Sequence, residues 1–441
     1  MKNQVKIEEI IPSFKKTINV PSDKSISIRC VLFSAIANGK SKIFNLLESE
    51  DVLNSLKSIR KLGISYKKIN NYYEIHGLGL SGYNPRKNIT IDAGNSGTFA
   101  RLILGLLVNS NHEITLIGDK SLSKRDFSRV INPLKKFGAI IRSKNKKLPV
   151  KILGTEFLRP INYHEKLGSA QCKSAVMLAA IKSPGITKIR ARKSRNHTEL
   201  LFKSLKIPIK IKSKNKFENL KVSGPSNFRS FNYQVPGDIS SCSFFLVLTL
   251  LSDNSEIIMK NINVNDSRTG ILKILKKMKA KIFLKNKKNY KGETIADIKV
   301  RSTKNLRGIK CSKNLNSSAI DEFLIIFLVA AKAKGVSSFD NLGELNNKES
   351  PRLNIALKIL KMIGIKTYRY KDNIKIYGNP NLKLNGKYII KNFRKDHRVF
   401  MMSCISALVL GGEWKIFDND CVKTSFPDFF KIMKQLGAKI N

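Results

Sequence analysis

A chain of 441 residues is too long for one compact core and predicts two domains of about 200 residues each. Its 42% apolar and 8% aromatic content is that of an ordinary soluble globular protein, and the longest apolar runs, FFLVLTLL at 244–251 and FLIIFLVAA at 323–331, are too short to span a bilayer. The charge is less ordinary, because 82 Lys plus Arg against 32 Asp plus Glu leave a formal +50, a field that attracts polyanions.

The opening stretch MKNQVKIEEIIPSFKK has no apolar signal core and no Arg- and Ser-rich transit character, so a cytoplasmic location is expected. VPSDKSISIR (20–29) then turns at Pro21 and opens a helix with Lys24, Ser25 and Arg29. Hydroxyls and cations at a helix N-terminus suit phosphate, because free N–H groups and the helix dipole both favour negative charge. The stripe Leu53, Leu56, Ile59, Leu62 predicts an amphipathic helix. DAGNSGTFAR (92–101) places Gly94, Asn95, Ser96, Gly97 and Thr98 before an apolar helix, where glycine lets the backbone come close to a ligand. No GK[ST] follows, so it is not a P-loop. GDKSLSKRDF (118–127) holds Arg125, and LGSAQCKSA (167–175) opens another helix with small polar residues, followed by SRNHTE (194–199). In VPGDISSCSFFL (235–246) a Pro-Gly turn precedes an apolar helix and marks the natural divide between domains. Farther on, AIDEF (319–323), NKESPR (347–352) and KDHR (395–398) set the carboxylates Asp321 and Glu349 among Lys348, Arg352 and Arg398. Each stretch taken singly could equally be a helix cap or a surface charge cluster.

A weak repeat runs beneath these motifs. A helical segment, a Lys-rich turn and a β-type run recur at LKSIRKLGISY (56–66), LKKFGAIIR (134–142), LLFKSLKIPIKI (200–211), ILKKMKAKIF (274–283), LKILKMIGIK (357–366) and IMKQLGAKI (432–440). Four copies place glycine where the helix should end, at Gly63, Gly138, Gly364 and Gly437, the left-handed position of a C-cap. A spacing of roughly 70–80 residues implies six small α/β modules, three in each domain. The six cysteines form no CxxC pair and the five histidines do not cluster, so reduced thiols and no metal site are expected.

In this order the stretches resemble the 3-phosphoshikimate 1-carboxyvinyltransferase (EPSP synthase) family. Its PxSKSxSxR start, GNxGTxxR loop, GDxSLxxRP segment, SxQxKSAxLLA helix, SRDHTE, VPGDxSSAxFFL, IDE, KESDR, DHR and TSFPxF are matched here from about residue 18 to 430. The departures are Asp126 for the usual proline, Asn196 for the Asp of SRDHTE and Pro351 for the Asp of KESDR. The resemblance implies an α/β fold of two domains, an inside-out α/β barrel with three βαβαββ-type repeats per domain. Residues 21–236 would form one domain, 1–20 plus 237–441 the other, with the active site in the cleft between them. It implies transfer of the enolpyruvyl group of phosphoenolpyruvate to the 5-hydroxyl of shikimate 3-phosphate, with no metal and no organic cofactor, and inhibition by glyphosate. By similarity Lys24, Ser25, Arg29, Ser169, Ala170, Gln171, Arg195, Asp321 and Lys348 bind shikimate 3-phosphate. Lys24, Gly97, Arg125, Gln171, Arg352 and Arg398 bind phosphoenolpyruvate. Asp321, Glu349 and Lys24 are the implied catalytic groups: base at the 5-hydroxyl, proton exchange at C3, and an additional acid.

Two other functions compete. A UDP-N-acetylglucosamine enolpyruvyl transferase shares fold and chemistry, but its family carries a reactive cysteine in the loop matching 118–125, which here reads GDKSLSKR. A nucleic-acid-binding protein would rest on charge alone. The basic residues are spread over almost every segment beside abundant Ile and Asn, as an AT-rich genome produces, and no nucleic-acid-binding motif accompanies them. Small-molecule substrates, a monomer and no specific nucleic-acid or membrane partner are therefore expected.

Overall fold

A computed structural model describes residues 3–83, 85 and 88–441; Met1 and Lys2, part of the 1–20 segment assigned above, lie outside the described residues. The chain forms two units. One holds Ser22–Val235 with Lys291–Glu293, the other the segment up to Pro21, Pro236–Tyr290 and Thr294–Asn441.

One motif builds both units. It is clearest in strand Ile89–Asp92, helix Gly97–Leu106, strand Ile114–Ile117, helix Ser128–Lys136 and strands Ile140–Ser143 and Val150–Leu153. The first strand lies parallel to the second, the second antiparallel to the fourth, and the fourth antiparallel to the third. The same order recurs in Asn162–Glu165, Gly185–Arg192, Phe217–Gly224 and Ile209–Lys214. In the unit's remaining copy the opening strand comes from far along the chain, as Asn232–Gln234 pairs in parallel with Asn38–Phe44. The other unit borrows likewise. Lys15–Ile18 opens the sheet beside Glu256–Asn263, and two parallel bridges, Arg307 with Lys334 and Lys310 with Ser338, stand in for an opening strand beside Gly335–Phe339. Gln4–Ile7 runs antiparallel to Glu413–Phe417, and there Lys6 exchanges backbone hydrogen bonds of 2.7 and 3.1 Å with Asn441. The fold is therefore the expected α/β arrangement of three βαβαββ-type repeats in each unit.

The two helices of each repeat differ, and the sequence says why. The first is largely apolar and buried all round: every residue of Ile26–Ile36, of Ile239–Leu250 and of Phe323–Ala331 is buried, a few polar side chains included. Such helices pack on one another, and a Cβ on Gly105 would run into the carbonyl oxygen of Ala175 on the neighbouring first helix Ala170–Ala180. The second is amphipathic, as in Glu50–Lys61, which buries Val52, Leu56 and Ile59 and turns its lysines outward. All six repeat segments found in the sequence fall on a second helix and the strand-like run after it. The glycines at their turns have φ between +78° and +113°, and the two copies without glycine put Lys206 (φ +58°) and Lys279 (φ +70°) in the same conformation.

Each first helix begins at a motif. Five have an N-cap side chain accepting from the first turn: Asp23, Ser96, Ser169, Asp238 and Asp396. The sixth, Phe323–Lys332, has Glu322 at that place with its carboxylate engaged elsewhere.

Candidate active site

In the unit containing Ser22–Val235, helices Lys24–Ile36, Ala170–Ala180 and His197–Ser204 bring polar side chains together at one guanidinium. Arg29, one turn into Lys24–Ile36, is buried; its Nε donates to Thr198 Oγ1 at 2.8 Å, Nη1 to the Ser25 carbonyl at 2.9 Å and Nη2 to Ser174 Oγ at 3.3 Å. Burial pulls its pKa down to about 10, against the attraction of Glu199, Asp23 and Glu293, so it remains a cation at neutral pH. Lys24 Nζ donates to Asp51 Oδ2 at 2.8 Å. Thr198 belongs to SRNHTE and Ser174 to the SAQ helix, so the three motifs meet at one guanidinium.

A second set surrounds Gly97. Arg101 Nη1 donates to the Gly97 carbonyl at 3.1 Å and to Gln171 Oε1 at 2.9 Å, while Gln171 Nε2 donates to Thr98 Oγ1 at 2.9 Å. The Arg101 guanidinium lies 4.9 Å over the Phe127 ring. Arg125 approaches from the 118–127 loop, where a Cβ on Gly97 would come within 3.0 Å of Arg125 Nη1. Asp119 holds that loop, accepting from Asn95 Nδ2 at 2.6 Å and from the Leu122 N–H at 2.7 Å. Ser169 caps its helix by accepting from the Cys172 N–H at 3.3 Å, and the Cys172 thiol is buried, with its pKa raised by that burial.

The other unit gathers its motif residues around Arg352, whose side chain is 1% exposed. Its Nε donates to Asp396 Oδ2 at 2.8 Å, Nη2 to Asp396 Oδ1 at 3.2 Å and to Glu349 Oε2 at 2.6 Å, and Nη1 to Asp321 Oδ1 at 3.4 Å. Lys348 Nζ lies 3.4 Å from the same Asp321 oxygen, and Ser350 Oγ donates to Asp396 at 2.8 Å. Burial alone would lower the Arg352 pKa, but Asp396, Glu349 and Asp321 outweigh it and hold the guanidinium charged well above its ordinary value. Arg398 is bound more sparingly. Its Nη1 donates to the Asp321 carbonyl at 2.8 Å and sits 3.5 Å from Glu322 Oε1, and its backbone N–H meets Asp396 Oδ1 at 3.0 Å.

The motif residues thus divide between the units. Lys24, Ser25, Arg29, Gly97, Arg125, Ser169, Ala170, Gln171 and Arg195 lie in one, and Asp321, Lys348, Glu349, Arg352 and Arg398 in the other. Within the first, Gly97, Gln171 and Arg125 are adjacent, and Arg195 is near enough to Arg29 to act on its charge. Sequence reasoning passed over several partners. Arg101, Thr198, Glu322 and Asp396 lie inside quoted motifs, whereas Asp51 had no motif to mark it. Chemically, the sets put Arg and Lys groups able to hold phosphate and carboxylate beside two carboxylates, Asp321 and Glu349, able to take up or return a proton.

The pattern of the EPSP synthase (3-phosphoshikimate 1-carboxyvinyltransferase) family matches residues 9–433. A 3-phosphoshikimate 1-carboxyvinyltransferase of Ruthia magnifica subsp. Calyptogena magnifica is 40% identical over 431 residues, covering 97% of each chain. One from Caldicellulosiruptor saccharolyticus is 39% identical over 427 residues, 96% of this chain and 97% of that one. The solved EPSP synthase of Acinetobacter baumannii aligns with a TM-score of 0.87 at 33% identity over 99% of both chains. The enolpyruvyl transferase NikO of Streptomyces tendae, at 14% identity over 99% of this chain and 98% of its own, shares the fold with a TM-score of 0.76.

Proposed function

The chain belongs to the EPSP synthase family, and from that membership we propose how its two sets of residues share one reaction. The enzyme transfers the enolpyruvyl group of phosphoenolpyruvate to the 5-hydroxyl of shikimate 3-phosphate, releasing phosphate. The UDP-N-acetylglucosamine alternative has no support among these relatives, and all six cysteines are buried.

Shikimate 3-phosphate binds through Ser25, Arg29, Ser169, the Ala170 backbone, Gln171 and Arg195, assisted by Lys24 and Lys348. A buried Arg29, cationic at neutral pH and braced by two hydroxyls, suits a dianionic phosphate. Phosphoenolpyruvate binds at Lys24, Gly97, Arg125, Gln171, Arg352 and Arg398. The 5-hydroxyl attacks C2 and gives its proton to Asp321 while C3 gains a proton from Glu349 or Lys24. In the second step phosphate leaves C2 as C3 returns a proton to Glu349.

One observation carries this reading: a single guanidinium, Arg352, holds both Asp321 and Glu349. An arriving anion competes with those carboxylates for Arg352, so substrate binding itself loosens the two groups that must move protons. Residues 21–236 and 1–20 plus 237–441 act as separate domains serving one substrate pair, as a monomer in the cytoplasm. No helix among the described residues is long and apolar enough to cross a membrane. The test is phosphate release that requires both substrates. Release with either substrate alone, or none with both, refutes the reading.

A further inference from the structure

Glu322 stands out in the unit that holds Arg352. It neighbours the implied base yet takes no part in the chemistry above. It sits where the other five first helices have a capping side chain, but makes no capping hydrogen bond to its own helix. Its carboxylate is wholly buried, a placement that is unfavourable for a charge unless partners compensate. Oε1 accepts from Ser240 Oγ and faces Arg398 Nη1 at 3.5 Å. Ser240 is itself held, because Arg268 Nη2 donates to Ser240 Oγ at 2.6 Å and to Asp238 Oδ1 at 3.3 Å. Asp238 caps the helix that carries Ser240, accepting from the Ser240 N–H at 2.8 Å. A continuous chain thus runs from buried Arg268 through buried Ser240 and Glu322 to the partly buried Arg398.

The two ligand-binding arginines of this unit differ in how they are held. Arg352 is bonded to three carboxylates. Among the described residues Glu322 is the only carboxylate within 4 Å of the Arg398 guanidinium. Arg398 Nη1 also donates to the carbonyl of Asp321, so the contact that orients the arginine anchors the backbone of the base.

We propose that Glu322, fixed by Ser240 and Arg268, is a positioning residue that aims Arg398 at the anionic groups of phosphoenolpyruvate. The proposal rests on the assignment of Arg398 to that substrate. Without the Glu322 charge, the Arg398 guanidinium keeps one carbonyl contact at Nη1 and can swing about it. Affinity for phosphoenolpyruvate then falls while the hold on shikimate 3-phosphate, centred on Arg29, stays.

The test is steady-state kinetics of Glu322→Gln, Ser240→Ala and the double variant, with shikimate 3-phosphate affinity measured by calorimetry. Glu322→Gln should raise the phosphoenolpyruvate KM about tenfold, because the Arg398 guanidinium loses its carboxylate partner, with kcat lowered less than about threefold. Ser240→Ala should raise the same KM about threefold, and shikimate 3-phosphate affinity should stay within about twofold in every variant. In the double variant the serine change should add nothing, because it acts through Glu322. If Glu322→Gln does not fold, the KM-against-kcat split in Ser240→Ala decides. An unchanged phosphoenolpyruvate KM, or equal losses for both substrates, overturns the proposal. Absence of turnover in the unmodified enzyme would instead overturn the functional assignment, and the proposal with it.

Discussion

Gly97→Ala is the most informative single change, because the added methyl has a computable destination. A Cβ at residue 97 would lie 2.8 Å from Arg101 Nη1 and 3.0 Å from Arg125 Nη1. Ordinary carbon–nitrogen contact is about 3.5 Å, so both guanidiniums must retreat, Arg101 by roughly 0.7 Å and Arg125 by roughly half an ångström. Arg101 is held by the Gly97 carbonyl, Gln171 and the Phe127 ring, so its shift strains those contacts while Arg125 moves back from Gly97. Overpacking by one methyl costs about 1–3 kcal/mol, which becomes about 5- to 150-fold in affinity if it falls on a bound ligand. Phosphoenolpyruvate is compact and can follow Arg125. Glyphosate, the longer inhibitor expected from the family resemblance, meets the methyl and the displaced guanidinium together. The expected result is a glyphosate inhibition constant raised within that range and a phosphoenolpyruvate KM raised no more than about threefold. Both constants are measured in wild type and variant by phosphate release. Parallel shifts would refute the reasoning, since Gly97 would then not line the discriminating part of the pocket.

Asp321→Asn should cut turnover at least ~100-fold while substrate binding stays within about tenfold; near-normal turnover would remove Asp321 from the base role. Lys24→Ala or Arg125→Ala should weaken phosphoenolpyruvate by about 1.5–3 kcal/mol and shikimate 3-phosphate by less, and equal losses by calorimetry would reassign the subsites. Lys182 offers a test of stability against pH. It is buried, donating to Asn109 Oδ1 at 2.7 Å, and burial pulls its pKa down from 10.5 to about 7. Between those values the unfolded chain binds more protons than the folded one, so this residue makes stability rise from pH 7 towards 10. Lys182→Met should flatten that slope and raise the urea midpoint at pH 7; an unaltered slope would show that Lys182 is not its source.

How much of this was legible in the sequence depends on what kind of signal each feature leaves. The second helices announce themselves by amphipathic spacing and, in four of six copies, by a glycine at the turn, which is why the six repeat segments could be aligned from the sequence pattern. The first helices have no periodicity, because a helix buried on every side has no polar face to mark, and FLIIFLVAA could equally have been a strand. The borrowed strands left almost nothing to read, since Lys15–Ile18 and Asn232–Gln234 are four and three residues long. Within the candidate site, the residues proposed to meet substrate stood in quotable motifs. Those that hold them, such as Asp51 under Lys24 and Asp396 under Arg352, make their contacts across 27 and 44 positions of sequence. No local pattern encodes a partner that distant.

The two left-handed lysines suggest a way to strengthen the enzyme from its own internal copies. Lys206 and Lys279 are exposed at the turn where four sister repeats carry glycine, and each holds a conformation in which a Cβ is penalised. The repeats therefore act as a small family alignment within one chain, and their majority residue names the replacement. Lys206→Gly and Lys279→Gly should each add a few tenths to about 1 kcal/mol, the gain being limited by the greater freedom glycine has when unfolded. Both positions follow the C-terminal ends of second helices His197–Ser204 and Gly270–Lys277, away from the N-terminal turns where the motif residues gather, so the enzyme should become sturdier without becoming slower.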